Sequence, residues 1–268
     1  MRLTAERASI ERVPFVEVAA GGEGTLLAAR GDFRVSSIWT LTGGGWELLA
    51  EDASSPAATE RGVAFVRAEG GGSAIWIKRE GEERVTDGGA RDGSPAGRLG
   101  SPVIAFSSDR DGGSDIYVLT PGEEPQRLTE SLGRCITPAW SPGGERIAFA
   151  SDRDGLYQLF TMAADGSDVR KVAEAYGHSP AWSPGGDTIA YAGSTVVQSA
   201  RSPLPTSICT VSAEGGEPGM VAEASMGSSP CWAGADELYF VRNGWLMRLH
   251  VPSGEVTQMR ADGSVSPP

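Results

Sequence analysis

Histidine is almost missing from this chain. Its 268 residues include two, His178 and His250. Zinc enzymes and Ser-His-Asp hydrolases draw their ligands and bases from imidazoles, so two leave such chemistry little material. Cysteine is scarce as well: Cys135, Cys209 and Cys231 are odd in number and form no CxxC. That pattern fits neither a disulfide framework nor a cysteine zinc site, and leaves three small apolar side chains for the interior. No run approaches the roughly 18 apolar residues that span a membrane as a helix. The N-terminal stretch MRLTAERASIERVPF carries early charges where a signal peptide has an apolar segment. A cytoplasmic location is expected from that start, or a periplasmic one if residue 1 is not the natural beginning. Basic charge is deficient too. Lysine occurs only at 78 and 171, and the formal net charge is -12. Nucleic acid needs a basic face and is not an expected partner. The preference for arginine over lysine reads as a GC-rich bacterial genome. Helical periodicity is absent almost throughout.

What the chain has is repetition. CITPAWSPGGERIAFASDRDG begins at Cys135, and GHSPAWSPGGDTIAYAG begins 42 residues later at Gly177. Three short signatures recur in order. The first is TLLAARG (25–31), GVAFVRA (62–68), VIAFSSD (103–109), RIAFASD (146–152), TIAYAGS (188–194) and ELYFVRN (237–243). The second is SSIWTL, SAIWIK, SDIYVL, YQLFTM, TSICTV and GWLMRL; the third is ELLAED, ERVTDG, QRLTES, RKVAEA, GMVAEA and TQMRAD. A lead-in segment precedes each set, clearest in TPAWS (137–141), SPAWS (179–183) and SPCWA (229–233), and weaker in SPAGR (94–98), SPAAT (55–59) and FVEVA (15–19).

Each signature alternates apolar and polar positions over four to seven residues, as half-buried strands do, and PGG, DG and GG turns divide them. Six copies at a period of about 42 residues predict an all-β fold, a six-bladed β-propeller of four-stranded antiparallel blades. The blades are expected at 13–52, 53–88, 89–131, 132–175, 176–224 and 225–262, with residues 1–12 as a tail or closing strand and 263–268 as a tail. A single four-stranded sheet cannot cover both of its faces; set radially, each sheet covers its neighbour. Trp39, Trp76, Tyr117, Phe160, Cys209 and Met247 share one repeat position, which predicts that they fill the layers between blades.

These residues resemble a known family. PAWSPGG, then IAF or IAY, then SDRDG and RLT, is similar to the repeat of TolB-type propellers, most closely over residues 100–192. The resemblance implies the fold and is not specific for function; a non-enzymatic role in binding a protein or peptide is the leading expectation. It does not extend to the separate domain that precedes the propeller in that family. Prolyl-oligopeptidase relatives and polyuronate lyases carry similar propellers. They supply the alternatives: a module related to the domain that gates a hydrolase, or a carbohydrate-binding or lyase propeller.

No catalytic residue is expected. GHSPA at 177–181 falls short of a G-x-S-x-G elbow in its fifth residue and lacks the strand-to-helix setting. Sister repeats place CITPA and GSSPC in the same slot. SSDRDGGSD (107–115) and ASDRDG (150–155) put Gly fourth and lack the closing Glu of a calcium loop, so they read as hairpin turns; a structural Ca²⁺ ion is the alternative. No cofactor is expected.

Binding is expected on one face. The loop before a blade's first strand and the loop between its second and third lie on the same side. That side collects Asp52, Arg91, Arg134, Tyr176, His178 and Met226 at the channel mouth. Farther out it collects Asp32, Arg34, Asp109, Arg110, Asp152 and Arg153. Blade five adds a long loop, STVVQSARSPLPTS (194–207), in which Val197, Arg201 and Leu204 stand out as docking residues. The expected partner is a protein or peptide held by a monomer without membrane insertion.

Overall fold

A computed structural model of the chain describes residues 15–20, 25–31, 36–42, 45–130, 133–195, 207–224 and 229–259. The aliphatic and aromatic runs form strands because turn-forming DG and GG pairs interrupt them every few residues and β-branched and aromatic side chains fill a pleated surface. Among the described residues there are twenty-four strands in six four-stranded sheets, each sheet made of consecutive strands. The innermost strand of each blade is β1 (Phe15–Ala20), β5 (Ser54–Thr59), β9 (Gly93–Gly97), β13 (Cys135–Trp140), β17 (Gly177–Trp182) or β21 (Cys231–Trp232). The second strands are β2 (Leu26–Gly31), β6 (Gly62–Glu69), β10 (Ile104–Ser108), β14 (Arg146–Ser151), β18 (Thr188–Gly193) and β22 (Glu237–Arg242). Third strands run from β3 (Ser36–Thr42) to β23 (Trp245–His250), and fourth strands from β4 (Gly45–Ala50) to β24 (Glu255–Gln258). Among the described residues all pairings between these strands are antiparallel, as in β2 with β3 and β14 with β15 (Gln158–Ala163).

The inner strands touch one another in sequence order, and β21 touches β1, so the ring is closed. This is the six-bladed propeller the repeats predict. The alternation expected of half-buried strands does not hold for four of the six second strands, while β6 and β22 keep partly exposed positions. Every residue of β2 and β10 is buried, and all but the first of β14 and β18. A sheet wedged between two others has no solvent face, so small Ala and Ser fill the positions where polar residues would otherwise stand.

Six apolar clusters fill the six seams, and the shared repeat position supplies one member to each. Trp76 joins blades one and two, Tyr117 two and three, and Phe160 three and four; Cys209 joins four and five, and Met247 five and six. Trp39 closes the ring between blades six and one, where Val18, Ala28 and Trp46 meet Cys231, Leu246 and Met259. Burying such a side chain contributes about 1.5–3 kcal/mol. Each also faces a second-strand partner in register: Phe65 opposite Trp76, Phe106 opposite Tyr117, Phe149 opposite Phe160, Tyr191 opposite Cys209. Blade one has Ala28 at that position, opposite Trp39. Among the described residues no strand passes from one blade's sheet to another. Both terminal tails, where a closing strand is expected, lie outside the described residues.

Candidate functional site

The inner strands carry a recurring irregularity. Ser55, Ser94, Thr137 and Ser179 occupy one repeat position, each before a proline, and all have left-handed backbones with φ of 51°, 47°, 50° and 51°. This conformation costs an L-residue about 1–2 kcal/mol. In blades two, four and five the pairing with the second strand slips across this point, between Ser54 and Ala57, Ile136 and Ala139, and His178 and Ala181. Such a bulge re-aims a side chain. Glu17 holds the same position in blade one, where the register slips between Phe15 and Glu17, and Ser229 holds it in blade six. All six residues are half-buried. They form a collar around the channel, five hydroxyls and one carboxyl.

Collar residues bond to one another across seams. The Ser179 N–H donates to Thr137 Oγ1 at 3.2 Å, and the Ser55 N–H donates to Glu17 Oε2 at 3.0 Å. Burial pushes the Glu17 carboxyl up to about 7, with hydrogen bonds from Ser55 opposing the rise. Repeat alignment could have found this ring. It is hidden in blade one because Val18 stands where the other blades have proline.

The loops expected to share a face do meet. The Arg91 N–H donates to Asp109 Oδ1 at 2.7 Å, and the Arg134 N–H donates to Asp152 Oδ1 at 2.6 Å. The Asp side chains of these turns therefore fasten the lead-in loop of their own blade. The next arginine turns inward. The Arg110 guanidinium lies over Phe106 and Tyr117 at 5.2 and 5.1 Å and bonds buried Asp92 at 3.0 Å. Arg153 lies over Phe149 and Phe160 at 5.5 and 4.5 Å, and it donates to Ser151 Oγ at 3.0 Å and to Cys135 Sγ at 3.5 Å. Arg67 covers Phe65 and Trp76 in the same manner. These arginines seal the ends of the aromatic pairs.

At the mouth, blades four and five bring four side chains together. The Arg134 guanidinium reaches the Tyr157 hydroxyl, and Tyr176 packs edge-on against His178 with centroids 5.6 Å apart. The Tyr157 carbonyl accepts the Gly177 N–H at 2.9 Å, which ties the turn of blade four to the lead-in of blade five. Arg134 is exposed, and the two tyrosines and His178 are half-buried. Burial lowers the His178 pKa, and its Nδ1 shares a 3.0 Å hydrogen bond with Ser179 Oγ. Tyr157 was not apparent from sequence, since it sits in a turn with no sister aromatic. Asp52 and Arg91 are exposed on other blades. Asp52 lines a groove with Leu48, Glu51, Arg67 and Glu82. The long loop of blade five leaves from this mouth, where the Ser194 N–H bonds the Tyr176 carbonyl at 2.9 Å. Val197, Arg201, Leu204, Met226, Asp32 and Arg34 lie outside the described residues. Among the described residues no three His, Cys, Asp or Glu side chains gather as a metal site would need, and no helix is long and apolar enough to cross a membrane.

Residues 46–260 match the family model of the TolB beta propeller domain. No protein of curated function matches the chain in sequence. Among solved structures, one described as a TolB from Agrobacterium tumefaciens superposes with a TM-score of 0.68 at 21% identity, over 85% of this chain and 89% of that one. TolB from Acinetobacter baumannii gives 0.70 at 19% identity, over 94% of this chain and 64% of that one. A puromycin-hydrolyzing peptidase from Mycobacterium tuberculosis gives 0.61 at 13% identity, over 97% of this chain. This chain spans about half of that peptidase, 54%. Identities this low speak to the fold alone, but the sequence match covers most of the repeats: the chain belongs to the TolB β-propeller domain family.

Proposed function

We propose that the chain is a non-enzymatic propeller that holds a protein or peptide partner at the lead-in face, centred on the mouth of blades four and five. The observation that carries this reading is the grouping of Arg134, Tyr157, Tyr176 and His178 beside the base of the long loop. Tyrosine and arginine are the side chains that concentrate binding energy at interfaces, and here a rigid sheet positions them. The test is affinity capture from the source organism with wild type, Arg134→Ala/Tyr176→Ala and a chain lacking 196–205. The expected result is a partner retained by wild type and lost with the double substitution. Recovery of the same proteins by all three forms removes the reading.

A second reading draws on the peptidase match, in which this chain corresponds to about half of a hydrolase. On that reading the propeller would gate a separate catalytic domain. A hydrolase encoded beside this chain that co-purifies with it favours this alternative.

A further inference from the structure

The collar holds one charge more than its structure needs. Thr137 shows that a hydroxyl suffices to accept the next blade's collar N–H. Glu17 does the same work for Ser55 with a carboxylate, which channel burial penalises when ionised. Among the described residues no guanidinium or ammonium stands beside it to offset that penalty. The titratable groups on the strands packed against β1 have neighbours other than Glu17. Arg30 lies over Trp39, Cys231 and Tyr239 pack in the closing seam, Glu237 pairs with Arg248, and His250 bonds Ser253; Arg242 stands opposite Trp245. The other five collar positions are hydroxyls, which accept hydrogen bonds and carry no charge.

We propose that the collar is a receptor for one primary ammonium group, with Glu17 as its counter-ion and neighbouring collar hydroxyls as its other acceptors. An ammonium offers three donors in a compact charge. One carboxylate with hydroxyls on either side suits it better than a divalent cation, which wants six or more oxygens and usually several carboxylates. The net charge of -12 raises the local concentration of cations at the channel. The proposal does not depend on partner capture at the mouth, because a small amine tests it alone.

The experiment titrates the full chain, labelled with carboxyl-¹³C glutamate, with n-butylammonium chloride. The Glu17 resonance is assigned by its loss in Glu17→Gln. The amine is expected to saturate and to move the Glu17 midpoint down from about 7 toward the ordinary carboxylate range. Glu17→Gln should abolish the site, and Ser55→Ala should weaken it about tenfold by removing a charge-assisted hydrogen bond. Tetramethylammonium, which has the charge and no N–H, should leave the midpoint in place. Equal binding of butylammonium by Glu17→Gln, read from saturation-transfer difference on the amine's own protons, overturns the proposal. So does equal action by tetramethylammonium, or a midpoint that moves with calcium and not with the amine.

Discussion

Ser55 of blade two gives its backbone N–H to the carboxylate of Glu17 in blade one, 3.0 Å away across the seam. That bond places an ionisable group inside the channel wall, and stability should record it. The folded carboxyl titrates at about 7 against 4.5 unfolded, so the folded state holds a proton that the unfolded state has released between those values. Stability from this group is therefore full below pH 4.5, falls as pH rises to 7, and stays reduced above. With the half-exposed position discounted, the loss is about 2 kcal/mol. Glu17→Gln should remove this slope and leave the variant more stable than wild type at alkaline pH. Urea unfolding across the range checks it; parallel curves for the two proteins would refute it. Below the window the sign reverses. Hydrogen bonds from Arg67 to Glu82, Ser167 to Asp165, Arg146 to Asp168 and Ser183 to Asp187 hold those carboxyls low, and their stabilisation is lost on acidification.

Arg110 and Arg153 occupy the same place in two SDRDG turns, yet removing them should have unequal cost. Arg110 pairs with Asp92, whose side chain is fully buried; without the guanidinium that carboxylate is stranded. Arg110→Ala should cost about 3 kcal/mol. Arg153 faces Cys135 sulfur and two rings, so Arg153→Ala forfeits mainly cation–π attraction, about 1 kcal/mol. Equilibrium unfolding of both variants decides it. Equal losses would mean that Asp92 does not distinguish the turns.

The repeat made the fold legible because it fixes strand, turn and seam together. Trp76, Tyr117 and Phe160 share a column, and the column is a set of seams. Other features depend on departures from the repeat. Blade five has Tyr191 where four sister blades have phenylalanine and blade one has Ala28, and the larger ring is seated against Gly177, where a Cβ would come within 2.8 Å of it. Nothing in Gly177 alone announces that. Glu17 escaped for the opposite reason: its neighbour Val18 lacks the proline that marks the column. The inward turn of Arg110 and Arg153 follows from ring pairs on the two strands that flank each turn, and for Arg110 from Asp92 in the lead-in loop, groups that face these arginines only once the sheet has formed.

Ser179 and His178 offer a last test, because their 3.0 Å contact has the look of a nucleophile with its base. The surroundings point elsewhere. The left-handed backbone of Ser179 recurs at Ser55, Ser94 and Thr137, so it belongs to the bulge and not to one reactive serine. The Ser179 N–H, which a hydrolase would aim at an oxyanion, is already given to Thr137. His178 packs on Tyr176, and among the described residues no carboxylate bonds its ring to fix the tautomer, as a triad requires. Ester substrates should therefore show no saturable turnover, and Ser179→Ala should behave as wild type in a p-nitrophenyl acetate assay while keeping its fold. Turnover lost in Ser179→Ala and His178→Ala but kept in His250→Ala would show that the collar serine is a nucleophile after all.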